Sequence, residues 1–396
     1  MNNFFTILFE IVFFSSLLAL FYTYIGYPLS VWIASRIFPK PVKRSNFEPN
    51  VTLIITAYNE EKDIKEKLEN TLKIDYPKDK LEVLVASDCS NDTTDEIVKS
   101  FANFGVKLFR QNERRGKTAA QNAAIKIARG EIILFSDATS MYQADVLKEI
   151  LPNFADQTVG CVAGKLIYVD KTDSSVGKGA KSYWNYETFL KESESKLCSL
   201  IGASGCLYAL RKSVYVPMYD EACSDFIICT LIYEQGFRTI YEPKAICTEE
   251  TNRQSDKEIS MRVRVITQSY TDLWRNARML NPFKSGFFAI QLISHKIFRY
   301  AVPLFLILLF AASLVLSFKS TFFAVSLVLQ TLFYLAALIA RFAENSFGKI
   351  GIFAIPHYFV LANWASLLAF YKFMRGESYA RWEPIREQLS ERGENI

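Results

Sequence analysis

Hydrophobic positions divide the chain into three regimes. Residues 4–38 and 297–374 are almost continuously apolar, whereas 39–296 alternates short apolar runs with polar clusters. The first apolar stretch can span a hydrocarbon core of about 30 Å as a tilted helix. It is no secretory signal, because it lacks a basic leading segment, is too long, and is followed by no small-residue cleavage site. The second regime divides into helical spans near 300–318, 321–340 and 350–373, with connectors at 317–320 and 341–349. Pro356 either lies within a continuous last span or breaks it into a re-entrant or interfacial piece. Just upstream, Phe283, Phe287, Phe288, Ile290, Leu292 and Ile293 interleave with Lys284, Gln291 and His295. That spacing suits a helix lying in the membrane interface or one packed on the soluble domain.

The middle regime alternates strand and helix patterns. Apolar runs at 51–56, 81–86, 106–109 and 131–135 predict buried strands. Helical spacing at 61–72, 94–104 and 118–128 separates them. Such alternation predicts an α/β fold with a doubly wound sheet, in which ligands sit off the carboxyl ends of the strands. Ala57-Tyr58-Asn59-Glu60, Asp88 and Ser136-Asp137 all fall at those ends. A single such residue is equally a helix cap, but three clusters in succession point to a site.

Charge orients the chain. The net charge is +5, and Lys40, Lys43, Arg44, Arg275, Arg278, Lys284, Lys296 and Arg299 flank the apolar ends rather than forming a nucleic-acid stripe. No nucleic-acid partner is expected; the positive-inside rule places the N-terminus outside and the middle domain on the cytoplasmic side of the inner or plasma membrane. Three later spans leave the tail outside, whereas Lys372, Arg375, Arg381, Arg386 and Arg392 favour inside, so its side stays open. Seven cysteines without a C-x-x-C pair read as reduced core thiols. With only His295 and His357, a histidine triad or a zinc site is excluded in practice. Gly116-Lys117-Thr118 resembles the end of a P-loop, but Gln111 stands where its first glycine belongs. Lys117 before a helix N-terminus still favours a diphosphate.

In order, TAYNEEKDI (56–64), VASDCSNDTTDEI (85–97), RRGKTAAQNAAI (114–125), FSDATSMY (135–142), IGASGCLYALRKS (201–213) and CSDFIICTLIYEQGFRTIYEPKA (223–245) resemble the family 2 glycosyltransferases of GT-A fold. The likeness is strongest to the membrane-bound branch that builds bacterial exopolysaccharides, and SHKIFRY (294–300) extends it. The resemblance implies a GT-A domain over 41–275, an N-terminal anchor over 1–40, an interfacial helix with about three spans over 276–374, and a polar tail over 375–396.

It further implies that Ala57, Tyr58, Asn59, Glu60 and Asp88 hold the nucleobase and ribose of a UDP-sugar. Lys117, Asn122, Ser136 and Arg264 lie by the nucleotide. Asp137 is the first carboxylate of the metal motif for Mg²⁺ or Mn²⁺, and Asp225 is the base of an inverting transfer. Such a base deprotonates the acceptor hydroxyl, while a cation neutralises the departing diphosphate. The family's D-x-D is Asp137-Ala138-Thr139 here, so its second carboxylate is missing. The Q-x-x-R-W of processive members is absent from 262–275, where Gln268 and Trp274 are wrongly spaced. The expected acceptor is therefore lipid-linked or a glycan, with polysaccharide assembly partners; a processive synthase and a catalytically silent export scaffold are the alternatives. The Gly202–Gly205 turn and the aromatics Tyr183, Trp184, Tyr186 and Phe189 are candidate acceptor contacts.

Overall fold

The computed structural model describes residues 3–169, 175–250, 254–342 and 351–381. Strands β1 (Val51–Ala57), β2 (Leu81–Ser87), β3 (Val106–Arg110) and β4 (Ile132–Asp137) form a parallel half-sheet. Strands β5 (Met141–Tyr142), β6 (Val159–Val169), β7 (Tyr208–Arg211) and β8 (Arg238–Glu250) complete one eight-stranded sheet of order β3-β2-β1-β4-β7-β6-β8-β5. The strand–helix alternation accounts for the first four strands. Beyond β4 the sheet is mixed: β7 runs antiparallel to β4 and β6, and β5 antiparallel to β8. A parallel return needs a crossover of a dozen or more residues; here β7 enters the sheet from the loop that carries the Gly202–Gly205 turn.

Helices cover both faces. They are α1 (Asn3–Phe21), α2 (Tyr27–Ile37), α3 (Ile64–Leu72), α4 (Thr94–Ser100), α5 (Lys117–Ile127), α6 (Val146–Ile150), α7 (Ser175–Leu197), α8 (Ser224–Glu234) and α9 (Ser255–Arg275). Then follow α10 (Pro282–Ser285), α11 (Phe287–Gln291), α12 (Phe298–Leu316), α13 (Thr321–Phe342) and α14 (Gly351–Met374). Because side chains alternate along a strand, Leu53 and Ile55 join one core with Ile64, Leu68 and Leu147. Ile54 joins the opposite core with Ala120, Ala124 and Ile228. All seven residues of β1 are buried, as a central parallel strand requires.

Among the described residues, four helical segments are long and apolar enough to cross a membrane: Asn3–Ile37, Phe287–Leu316, Thr321–Phe342 and Phe353–Met374. Outward-facing Ile7, Ile11, Leu304, Val328 and Leu332 are exposed on them, as on a lipid-facing surface. Helix α14 runs unbroken through Pro356. The stretch expected as an interfacial helix is broken at Gly286, where φ is +56°, and then continues into α12. Phe283 is fully exposed while Phe288, Leu292 and Gln291 are buried. The connector expected at 341–349 and the tail charges Arg386 and Arg392 lie largely outside the described residues. A third core joins Phe226 and Val263 to Phe288, Leu292, Ala365 and Ala369, so the α/β domain is seated on the membrane helices.

Two π-helical stretches, Tyr22–Gly26 and Leu292–Ile297, interrupt the first two apolar segments. They meet through the hydroxyls of Tyr22 and Ser294, 2.7 Å apart.

Candidate active site

A cavity of about 1270 Å³ opens at the carboxyl ends of the strands and extends toward the membrane helices. Lys117, Asp137, Gly202, Gly205, Asp225 and Arg264 all line it. Asp137 ends β4, Lys117 opens α5, and Asp225 stands in the first turn of α8. Cys223 is the N-cap of α8, so the Asp225 side chain is not the cap. The three charged groups converge on Gly205. A Cβ there would lie 3.2 Å from Lys117 Nζ, 3.5 Å from Asp225 Oδ2 and 3.6 Å from Asp137 Oδ2.

The Lys117 ammonium rests on the Asp137 carboxylate. Burial lowers the Lys117 pKa, but the Asp137 and Asp225 carboxylates outweigh it and the net direction is upward. Burial pulls Arg264 below its ordinary value, against the carboxylate of Asp137 and the thiol of Cys223. The turn before Asp225 is fixed from α9, where Asp272 receives the Cys223 N–H at 3.1 Å and the Tyr219 hydroxyl. Burial pushes the Asp272 carboxyl up to about 7.

The nucleotide-side residues divide. At the ends of β1 and β2, Asn59 (φ 54°) and Cys89 (φ 62°) both take left-handed backbone, which L side chains adopt mainly where surroundings enforce it. They are locked together: Asn91 N–H donates to Asn59 Oδ1 at 2.9 Å, Asn59 N–H to Ser90 Oγ at 3.1 Å, and Glu60 N–H to Thr94 Oγ1 at 2.8 Å. The Arg114 guanidinium lies 3.8 Å from the Tyr58 ring centre. Glu60 lines the cavity, while Ala57 is buried at the strand end.

Asp88 is directed inward. It accepts from Gln111 Nε2 (2.7 Å), Arg115 N–H (2.8 Å) and Gly116 N–H (2.8 Å), filling three of about four lone-pair positions of a carboxylate. Burial raises its pKa, and the backbone donors of Arg115 and Gly116 oppose the rise. Its evident task is to hold the 111–116 loop.

Of the expected nucleotide residues, Ala57, Tyr58, Asn59, Asp88, Asn122 and Ser136 are not among those lining the cavity. Asn122 donates to Met218 O at 2.6 Å and accepts from Tyr215 and Met218, so its amide secures a neighbouring loop. Ser136 is fully buried, its hydroxyl donating to Asp137 O at 3.0 Å. On the acceptor side, Tyr183, Trp184 and Tyr186 of α7 line the cavity, whereas Phe189 is exposed.

Two features escaped the sequence reading. Glu249, near the end of β8, lines the cavity and accepts from Thr139 Oγ1 at 2.8 Å. Its pKa is pushed up to about 7 by burial and then by the Asp137 carboxylate. The acid pair Glu249-Glu250 closing an apolar strand was the available signal. The second feature is the segment after α14: Gln268 donates to Tyr379 O at 2.6 Å, and Ala380 lines the cavity against Gly116. No sequence pattern announces that contact.

Among the described residues, no cluster of three or more His, Cys, Asp or Glu forms a ready metal cage. The donors that face one another are oxygens, Asp137 and Glu249, and a cation, the Lys117 ammonium, already sits on Asp137. Oxygen ligands of this kind suit Mg²⁺ or Mn²⁺.

Residues 52–217 match the family profile described as Glycosyl transferase family 2. They are a family 2 glycosyltransferase domain. The chain is 28% identical over 204 residues to the poly-beta-1,6-N-acetyl-D-glucosamine synthase of Staphylococcus aureus, covering 50% of this chain and 49% of that one. It is 26% identical over 227 residues to the probable glycosyltransferase YdaM of Bacillus subtilis, covering 53% of each. The chain thus spans about half the length of the curated relatives it matches. A mannosyltransferase of Pyrobaculum calidifontis, solved with GDP-Man and Mn²⁺, superposes with a TM-score of 0.73 at 24% identity, over 93% of this chain and 99% of that one. That likeness establishes the GT-A fold. The chain thus carries a family 2 glycosyltransferase domain with apolar helices flanking it.

Proposed function

We propose that this transferase moves a sugar, with inversion, from a UDP-sugar to a lipid-linked or glycan acceptor at the cytoplasmic face of the inner or plasma membrane. The observation that carries the reading is the convergence of Lys117, Asp137 and Asp225 on Gly205 in one cavity. Asp225 takes the proton of the acceptor hydroxyl as its oxygen attacks the anomeric carbon. The bond from that carbon to the diphosphate breaks, and the nucleoside diphosphate leaves. Lys117, the α5 N-terminus and Arg264 face the charge that develops on it. Asp137 and Glu249 would hold a Mg²⁺ or Mn²⁺, which neutralises the diphosphate when bound.

The left-handed turns at Asn59 and Cys89, with the Arg114-stacked Tyr58, would seat the base and ribose. The basic residues beside the apolar helices support the cytoplasmic placement of the domain. A second reading, a processive synthase, draws on the similarity to the poly-N-acetylglucosamine synthase. The missing Q-x-x-R-W weighs against it, and product length with labelled donor separates the two. A binding screen of nucleotide sugars on the purified chain, with and without Mn²⁺, tests the whole reading. No binding and no transfer with any common donor would leave the silent scaffold.

A further inference from the structure

The cavity does not end at the reacting centre. It continues between α7, α9 and α14 to the π-helical stretch Leu292–Ile297, where Arg262, Lys296 and Arg299 line it. The charges of this inner part are nearly all paired. Arg299 meets Glu187 at 2.6 Å, His295 meets Glu194 at 2.9 Å and Glu187 at 3.1 Å, and Arg262 meets Glu258 at 2.8 Å. Among the described residues, Lys191, without a carboxylate partner, donates to Ser204 Oγ at 3.0 Å; for Lys296, neither a carboxylate within ion-pairing distance nor a hydrogen bond holds the ammonium. What it faces instead is the Phe226 ring at 5.0 Å and the Tyr300 ring at 5.9 Å. Phe226 directly follows Asp225, and both line the same cavity as Lys296.

Two independent features point the same way. A π-helical turn is rarer and less favourable than α-helix and persists mainly where function needs the displaced side chains. Here it holds both Lys296 and Ser294, the latter bonded to Tyr22 of the other π-helical stretch. On α14 the cavity wall includes the apolar Ile355, Phe359 and Ala362 beside the polar Asn363 and Ser366, and Ile355 is 61% exposed on the lipid-facing side. An unpaired ammonium in the cavity and apolar side chains along a membrane helix fit an anionic head on a hydrocarbon chain. A neutral glycan uses neither feature.

We propose that Lys296 binds the phosphate of a lipid-linked acceptor, so that the acceptor class is a sugar carried on a lipid phosphate or lipid diphosphate, whose hydroxyl reacts, rather than a free glycan. This rests on the cavity being a transferase site. Lys296 thereby sets the acceptor's reacting oxygen near Asp225, and the lipid chain leaves past Phe359.

The test uses the full chain in lipid nanodiscs. Binding of a polyprenyl phosphate, the matching polyprenyl alcohol and a polyprenyl diphosphate-linked sugar is measured for wild type, Lys296→Gln and Lys296→Arg. UDP binding with Mn²⁺ is followed in parallel as the check on fold and donor site. Wild type should prefer a phosphorylated lipid over the alcohol by about tenfold or more, equivalent to one charge-assisted contact. Lys296→Gln should erase that preference and Lys296→Arg restore most of it, with UDP affinity unchanged. Preference for the monophosphate or for the diphosphate tells which head the site takes. Equal binding of phosphate and alcohol by wild type, or a preference that survives in Lys296→Gln, overturns the proposal even if transfer to a soluble oligosaccharide is active. Failure of wild type to bind any nucleotide instead sinks the transferase reading of the site and leaves the lipid result standing. Should Lys296→Gln not fold, the wild-type comparison of phosphate with alcohol still decides.

Discussion

The hydroxyl of Thr139 donates to Glu249 Oε1 at 2.8 Å, tying the loop after β4 to the end of β8. Thr139 occupies the position where the resembling family carries a second metal carboxylate. The bond brings a carboxylate from another strand toward the same place, where burial first and then the Asp137 charge raise the Glu249 pKa. Replacing Glu249 by Gln should weaken Mn²⁺ binding in the presence of UDP by about tenfold or more. Metal titration of nucleotide binding checks this. An unchanged midpoint would remove Glu249 from the site.

Asp225 should separate chemistry from binding. Asp225→Asn keeps the shape of the cavity and the α8 N-terminus but cannot accept the acceptor's proton. Transfer should fall by about 10²–10⁴-fold, while UDP-sugar affinity measured by calorimetry stays within about twofold. Retained transfer would move the base elsewhere.

Gly116 is expected to tolerate no side chain. Its φ is +103°, and an added Cβ would stand 1.9 Å from the carbonyl oxygen of Ala380. Because Gly116 N–H also anchors Asp88 and the next residue is Lys117, Gly116→Ala should cost donor affinity by about tenfold or more. Ending the chain after Gly376 removes the clash but leaves the φ strain, so it should recover part of the loss. Binding isotherms of the single and combined changes give the split.

Lys67 makes stability depend on pH. It is fully buried on α3, donates to Ser140 O at 2.5 Å and lies 3.6 Å from the Tyr142 ring centre. Burial pulls its pKa down to about 7, against 10.5 when exposed. Between those values the unfolded chain binds the extra proton, so stability from this group rises with pH across that window and is lost below it. The slope reaches about 1.4 kcal/mol per pH unit at most. Lys67→Met should flatten the rise in thermal midpoint between about pH 7 and 9; an unchanged slope would assign it to other groups.

Much of the architecture was legible in local pattern. The buried runs at 51–56, 81–86 and 131–135 became β1, β2 and β4, because a strand covered on both faces must be apolar throughout. Polar residues at their ends marked the cavity for the same reason: the chain can turn there only into solvent. The apolar stretches at either end became the four long helices, since length and hydropathy are properties of sequence alone.

What the sequence could not disclose depends on which way a side chain turns once distant segments meet. Asp88 and Asn122 carry the right chemistry at the right strand-end and helix positions, yet their hydrogen bonds are taken up by the 111–116 and 215–218 loops. Glu249 stands 110 positions from Thr139, and only the mixed half of the sheet brings β8 beside the metal motif. Lys117, Asp137 and Asp225 were each visible as candidates. Their convergence on Gly205 needed three strand–helix junctions to be folded onto one edge. Lys296 looked like one more basic residue flanking a membrane helix; it becomes distinctive only because its neighbours pair with one another and leave it facing the cavity alone. Periodicity is local and survives in one dimension, whereas pairing is a choice among neighbours that exists only after folding.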